Sequence, residues 1–299
     1  KASLSRVTAN RFTFAGFTCQ TGTLTEPTTT VLGSATTNLT DIISWSMKVE
    51  NQLVTETVFL ATGLLLPIWG ALPKEDLTVN RIVDKDLPAE AVAAEILSAG
   101  GAAEALMLDV TDDAALEAAI RGTGDRFGRL DILHSHAGIQ IPGRLEDVAA
   151  SEMDASWRLN VRSHFVAARA AMAVMKPRGA GSIIVTASNS GVQYDRGMIA
   201  YCTTKHAVIA MVRQIAVDYA RFGVRCNALC PGFVDTAFNA GFESQMGGRG
   251  GLERYVSDTI PMGRWGTAAE IAESLVYLAS DRSSFMTGHA LVVDGAESL

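Results

Sequence analysis

The 299-residue sequence predicts an α/β fold, a Rossmann-type doubly wound parallel sheet in a single domain. Short apolar runs without polar alternation recur along the chain, as strands buried on both faces require. Between them lie longer stretches of helical periodicity, the alternation that covers a parallel sheet on both sides. The bulk agrees: 48% apolar content supports a large core, and the length suits a domain of about 250 residues with an extension.

Residues 1–46 are rich in Thr and Ser, with few charges and little periodicity, and are expected to form an N-terminal extension of weak structure with some strand at most. The main domain is expected over 47–299, opening at Met47-Lys48-Val49-Glu50-Asn51. Residues 58–62 read as its first strand, and a second strand ends at Val83-Asp84. The Ala/Glu-rich stretch 89–98 reads as a helix, stopped by Gly100-Gly101. A strand at 105–109, a helix at 112–121 and a strand at 130–134 follow. A long helix is expected at 151–175, a strand at 182–186, a second long helix at 201–221 and a strand at 224–229. A helix at 267–279 and a strand at 290–293 close the domain. Sheets of this kind bind ligands beyond the carboxyl ends of their strands, so functional residues are expected just after strands.

Composition narrows the function. The net charge is −7, the pI is about 5.3 and there is no basic run, which argues against nucleic acid as a partner. The longest apolar stretch, 58–73, is interrupted by Thr62, Gly63, Pro67 and Gly70 and is shorter than the roughly 18 residues a membrane helix needs, so no membrane partner is expected. Cys19, Cys202, Cys226 and Cys230 form no Cys-x-x-Cys pair, and read as reduced thiols of a cytoplasmic protein. His134 and His136 lack a third ligand, so no metal is expected.

The chemistry gathers around Tyr201. Lys205, four residues on, shares its helix face. An ammonium near a phenol favours phenolate, and such a tyrosine can give or take a proton at a carbonyl or alcohol oxygen. Ser188 lies thirteen residues earlier, just after a strand, and Asn160 sits in the preceding long helix. Each feature alone has a plain structural reading: a solvated Tyr/Lys pair, or a satisfied core amide.

Together, Asn160, Ser188 and Tyr201-Cys202-Thr203-Thr204-Lys205 resemble the catalytic tetrad of the short-chain dehydrogenase/reductase family. The resemblance extends over residues 47–299. Leu108-Asp109-Val110 is similar to the family's adenine-contacting strand end. Ser135-His136-Ala137-Gly138 matches its Asn-Asn-Ala-Gly turn in the last two residues, and residues 227–236 resemble its nicotinamide-holding segment. Gly263-Arg264-Trp265-Gly266, Leu278-Ala279-Ser280, Thr287-Gly288 and Asp294-Gly295 are family-like as well.

The resemblance implies roles. Tyr201 would be the general acid/base, and Lys205 would bind the nicotinamide ribose and lower the Tyr201 pKa. Ser188 would polarise the substrate oxygen, and Asn160 would hold a water in a proton relay. Asp109, Val110, Ala137, Gly138, Pro231, Gly232, Val234 and Thr236 would contact the cofactor, the last two at the nicotinamide carboxamide. The implied activity is an NAD(P)-dependent interconversion of a secondary alcohol (polyol, sugar or similar) and its ketone. An NADPH-dependent 3-oxoacyl reductase is the alternative. A homotetramer or homodimer through the two long helices and the last strand is also implied.

One stretch departs from the family. Where members carry Thr-Gly-x-x-x-Gly-x-Gly to cradle the pyrophosphate, this chain has Thr62-Gly63-Leu64-Leu65-Leu66-Pro67-Ile68-Trp69. Pro67 removes a backbone N–H, and Trp69 puts a large ring where backbone should approach phosphate. Gly63 and Ile68 are the cofactor contacts expected of this turn. A frameshift over this stretch, an altered turn that still binds, and a non-catalytic binding protein of the same fold all remain open. The intact tetrad argues against the last. Asp84, at the end of the second strand, can accept from both adenosine ribose hydroxyls and would repel a 2′-phosphate, so NAD is expected, with Lys85 keeping NADP open. Residues 238–262 occupy the position of a substrate lid, where Phe238, Phe242 and Met246 suit an apolar pocket. Arg249 and Arg254 either meet an anionic substrate or stay solvated.

Overall fold

A computed structural model describes residues 11–14, 17–20, 56–60, 79–84, 88–98 and 103–299. The chain divides into two compact units, residues 1–52 and 53–299. In the first, β1 (Arg11–Phe14) and β2 (Phe17–Gln20) pair antiparallel, with Arg11 opposite Gln20.

The second unit is built on a parallel sheet of seven strands. They are β3 (Glu56–Leu60), β4 (Val79–Asp84), β5 (Ala103–Met107), β6 (Ile132–Ser135), β7 (Gly181–Thr186), β8 (Val224–Pro231) and β9 (Ala290–Val293). Their spatial order is β5-β4-β3-β6-β7-β8-β9. The chain therefore moves outward from β3 to β5, then returns to set β6 on the other side of β3. Connections diverge between β3 and β6, which opens a crevice at the carboxyl ends of the strands.

Eight α-helices follow in the described residues: α1 (Pro88–Ser98), α2 (Asp113–Phe127), α3 (Ala150–Trp157), α4 (Ser163–Arg178), α5 (Ile199–Tyr219), α6 (Ala240–Gln245), α7 (Arg249–Thr259) and α8 (Ala268–Ala279). The pleat of β7 shows why both faces need cover. Ile183 and Val185 point to one side and pack with Leu116, Met175 and Val208 from α2, α4 and α5. Ile184 points to the other and packs with Ile96 of α1 and Ile271 and Leu275 of α8. These side chains are almost wholly buried, and each contributes roughly 1.5–3 kcal/mol of transfer free energy.

Local chemistry sets the helix ends. Asp112 Oδ1 accepts from Ala114 N and Ala115 N, both at 3.1 Å, and starts α2, which stops at Gly128 with φ +73°. Thr267 and Glu270 form a reciprocal capping box on α8.

Two sequence expectations shift. The third strand lies at 103–107 rather than 105–109, because its pairing with β4 sets its limits from Asn80↔Ala103 to Asp84↔Met107. The helix expected at 151–175 is interrupted: between α3 and α4, Arg158–Arg162 form a π-helical turn. There the Ser163 N–H bonds to Arg158 O, five residues back, and one extra residue is accommodated per turn. Asn160 sits at the middle of this turn. Gly63, Ile68 and the rest of the expected phosphate turn lie outside the described residues, as does Gly100-Gly101. Among the described residues no helix is long and apolar enough to cross a membrane, and no group of three His, Cys, Asp or Glu could hold a metal ion.

Candidate active site

The crevice holds a cavity of about 610 Å³. Leu108, Asp109, Val110 and Thr111, which follow β5, line one end. His136, Ala137 and Gly138 after β6 line the middle, and Ser188, Pro231, Gly232, Val234 and Thr236 after β7 and β8 line the other end. Tyr201 and Lys205 enter from the first turns of α5. The rule that functional residues follow strand ends thus describes most of the lining.

Ser188 caps a short 3-10 turn, Asn189–Gly191, accepting from Ser190 N at 3.2 Å. Its hydroxyl donates to Asn189 Oδ1 at 3.2 Å and lies close enough to the Tyr201 phenol to influence its ionisation. Tyr201 is 3% exposed. Its ring is flanked by Phe238 and Phe242, with centroids 6.4 and 6.5 Å away. Lys205 Nζ donates to Thr186 O at 3.0 Å and lies 5.6 Å from the centre of the Tyr201 ring. Gly138 passes close above: a Cβ there would meet Asn160 Oδ1 at 3.2 Å and Lys205 Nζ at 3.4 Å.

Asn160 does not line the cavity. It is fully buried behind it and clamps the loop after β6. Ile139 N donates to its Oδ1 at 2.8 Å. Its Nδ2 lies within donating distance of Ile139 O (2.9 Å), Thr204 Oγ1 (3.0 Å) and Ser156 Oγ (3.2 Å). The implied relay water must therefore compete with protein acceptors already in place.

Burial dominates the electrostatics. It pushes the Tyr201 phenol well above its ordinary value; the neighbouring Ser188 hydroxyl works the other way, and Cys202, Asp195 and Cys230 add to the rise. This is opposite in sign to the lowering expected from Lys205. Burial also brings the Lys205 ammonium down to about 8. The neutral phenol is thus the resting form, ready to donate a proton.

Beside the cavity lies a cluster of imidazoles, His134 and His164 buried and His136 partly buried in its wall. His134 Nε2 and His136 Nδ1 share the Thr186 hydroxyl at 2.9 and 3.0 Å, and Ser135 Oγ bonds His164 Nδ1 at 2.6 Å. Desolvation holds His134 and His164 well below the ordinary value of 6.5 and His136 at about 4. The folded pKa is lowered, so as pH falls the unfolded chain binds protons first. Stability is full above about 6.5 and is lost as pH falls toward about 4, by up to about 1.4 kcal/mol per pH unit for each histidine. Thermal melting followed across this window should show that decline, and a flat melting temperature would contradict neutral burial.

The expected site residues Asp109, Val110, Ala137, Gly138, Ser188, Tyr201, Lys205, Pro231, Gly232, Val234 and Thr236 all meet in the one cavity. Asp84 ends β4 in register with Met107. Phe238 and Phe242 line the cavity. Met246 instead packs in the cluster around Phe242. Arg249 is turned away: it pairs with Asp235 at 2.8 Å and Glu253 at 3.0 Å and stacks 4.5 Å over Trp265. Arg254 is also absent from the lining. Sequence reasoning missed Gln140, Asn189, Gln193, Asp195 and Glu297. The strand-end rule reaches Gln140 and Asn189. Glu297 comes from the far end of the chain, and only the fold brings it in.

These residues fit a dinucleotide. The cavity runs along the strand ends from Asp109 to Thr236, and Lys205 spends one of its three protons on Thr186, leaving donors for ribose hydroxyls. Gly138 and Gly232 keep the walls free of side chains where neighbours are already close.

Known proteins share these features. A family model described as enoyl-(acyl carrier protein) reductase matches residues 77–296. The 2-(S)-hydroxypropyl-CoM dehydrogenase 3 of Xanthobacter autotrophicus is 35% identical over 253 residues, 82% of this chain and 98% of that protein. A levodione reductase structure is similar with a TM-score of 0.77 and 28% identity, covering 82% of this chain and 97% of its own. A gluconate 5-dehydrogenase of Burkholderia cenocepacia, solved with NADP and tartrate, gives a TM-score of 0.75 and 28% identity over 83% of this chain and 97% of its own.

Proposed function

The chain belongs to the short-chain dehydrogenase/reductase family, and on that footing we propose that it interconverts a secondary alcohol and its ketone with Tyr201 as acid/base. It is an NAD(P)-dependent oxidoreductase. The observation that carries the Tyr201 assignment is the buried phenol that lines the cavity at the strand ends together with Ser188 and Lys205, whose Nζ lies 5.6 Å from the ring centre.

When bound, the dinucleotide donates or accepts the hydride. The residues do the rest. In ketone reduction Tyr201 OH passes its proton to the carbonyl oxygen as negative charge develops there. Ser188 turns its hydroxyl from Asn189 to the same oxygen and fixes its direction. Lys205 offers its free N–H donors to the ribose hydroxyls and, as a cation, favours the phenolate left behind. Asn160 holds residues 138–140 against the cavity, a positioning role supported by its bonds to Ile139. In alcohol oxidation the proton moves the opposite way.

The preferred dinucleotide is NAD. Asp84 supports this, since a carboxylate at the end of the second strand accepts from ribose hydroxyls and repels a 2′-phosphate. Initial rates with NADH should exceed those with NADPH by at least about tenfold in kcat/KM, and Asp84→Ser should narrow or reverse the gap. Failure to turn over any ketone with either dinucleotide would overturn the enzymatic reading. Two long helices with exposed apolar residues, Phe165 on α4 and Val217 on α5, suit a homotetramer or homodimer. Light scattering of the purified chain tests that. Free, buried Cys202, Cys226 and Cys230 suit a reducing compartment such as the cytoplasm.

A further inference from the structure

The cavity carries charge that hydride transfer does not use. Asp195 and Glu297 both line it. Asp195 accepts from Ser190 Oγ at 2.5 Å, Gln193 Nε2 at 3.3 Å and Cys202 Sγ at 3.7 Å. Glu297 accepts from Asn189 Nδ2 at 2.8 Å and Tyr255 OH at 3.0 Å. Every one of these donors is neutral. Several carboxylates outside the cavity are held by guanidinium groups, as Glu270 is by Arg264 at 2.7 Å and Glu117 by Arg169 at 2.7 Å, and others by neutral donors, as Asp218 is by Gln214 at 3.0 Å. The two cavity carboxylates also feel each other: burial raises the Glu297 carboxyl, and the negative charge of Asp195 raises it further.

Nothing else in the lining relieves this. Among the described lining residues Lys205 alone carries a lasting positive charge, and it is tied to Thr186 O beside Tyr201. His136 is held neutral. A second, independent feature has the same polarity. Gln140 Oε1, also in the lining, is a buried acceptor with no hydrogen-bond partner. Besides Asp109 at the β5 end, two carboxylates and one orphaned amide oxygen therefore line a cavity that Phe233, Phe238 and Phe242 also wall. What such a wall lacks is a positively charged group rich in N–H donors.

We propose that the substrate is an amino alcohol or amino ketone whose protonated amine is recognised by Asp195 and Glu297. This rests on the oxidoreductase reading and names its substrate class. The amine supplies up to three N–H donors to Glu297, Asp195 and Gln140 and relieves the repulsion between the two carboxylates. It also acts on the chemistry. Asp195 is one of the charges that hold the Tyr201 phenol protonated, so a cation beside it makes the phenolate needed for oxidation easier to form. A carboxylate substrate would add a third negative charge to the same space.

The test uses three alcohols of matched skeleton: 4-aminobutan-2-ol, butane-1,3-diol and 3-hydroxybutyrate, each with the purified full chain and NAD near neutral pH. The expected order of kcat/KM is ammonium, then diol, then carboxylate, with about a hundredfold between the extremes, as charges a few ångströms apart in a partly screened cavity give. Glu297→Gln and Asp195→Asn keep shape and remove charge. Each should compress the ammonium-to-carboxylate ratio by at least about tenfold, and the ratio cancels any general loss of activity or folding. The acidic limb of the oxidation profile should lie at lower pH for the amine than for the diol.

Binding of the same three compounds to the Tyr201→Phe variant with NAD, followed by calorimetry, separates this inference from the reading beneath it. The same order of affinities supports amine recognition. Equal or reversed affinities, a ratio that neither charge-removing variant alters, or no measurable binding of the amine overturns it. Absence of wild-type turnover despite preferential amine binding counts against the oxidoreductase reading alone.

Discussion

Replacing Tyr201 by Phe should lower turnover in both directions by at least about a thousandfold, the loss expected when a general acid/base is removed from a preorganised site. The substitution deletes one oxygen and keeps the ring. Phe238 and Phe242 retain their neighbour, so the apolar cluster that packs α5 against α6 and α7 survives. Ser188 also keeps Ser190 N as donor and Asn189 Oδ1 as acceptor. The melting temperature and the affinity for the dinucleotide should therefore change little while kcat collapses. That separation marks a group acting on the reacting atoms rather than on the fold. The direction of the pH effect is fixed as well. Burial keeps the phenol protonated through neutral pH, so reduction needs no prior ionisation, whereas oxidation gains as the phenolate appears. Wild-type oxidation should thus climb into alkaline pH while reduction declines there. A Phe variant retaining a tenth or more of wild-type kcat would remove Tyr201 from the mechanism.

The sheet and the candidate catalytic residues were legible in the sequence for a simple reason: their spacing is local. Tyr201 and Lys205 are one helical turn apart, and Ser188 follows a strand whose Ile183, Ile184 and Val185 announce themselves as apolar on both faces. The sign of the Tyr201 shift was not legible, because proximity of Lys205 can be read from spacing but burial cannot. Asp195 and Glu297 were equally hidden. Asp195 sits in a polar loop that reads as solvated, and Glu297 is joined to Asn189 across a sequence separation of 108 residues. The π turn at Arg158–Arg162 left no periodic signature either, since five residues are too few to display a period of their own. The departure at Pro67 and Trp69 is plain in the sequence, yet that turn lies outside the described residues.

Asn160→Leu provides the sharpest test of whether that π turn is structural, catalytic or both. Leu is close to Asn in shape and removes every polar atom of the clamp. Ile139 N loses its acceptor and Ile139 O its donor, both in a loop pressed between the cavity and a buried helix. Thr204 Oγ1 keeps its bond to Tyr201 O, so α5 should hold its first turn. Each orphaned backbone group costs about 1–3 kcal/mol when water cannot reach it. The expected loss is therefore roughly 2–6 kcal/mol, or a melting temperature lower by roughly 5–15 °C for a domain of this size. Activity should fall too, by about ten- to a hundredfold, because Gly138 passes within 3.2 Å of Asn160 Oδ1 (measured to its would-be Cβ) and the loop it anchors walls the cavity. Asn160→Asp separates the roles. It keeps an acceptor for Ile139 N and loses the amide donors, so Ile139 O alone is orphaned and stability should be intermediate. If Asn160 acts by positioning, kcat in the two variants should rank with their melting temperatures. An Asp variant as stable as wild type but as slow as the Leu variant would point instead to the amide as a direct participant in proton transfer.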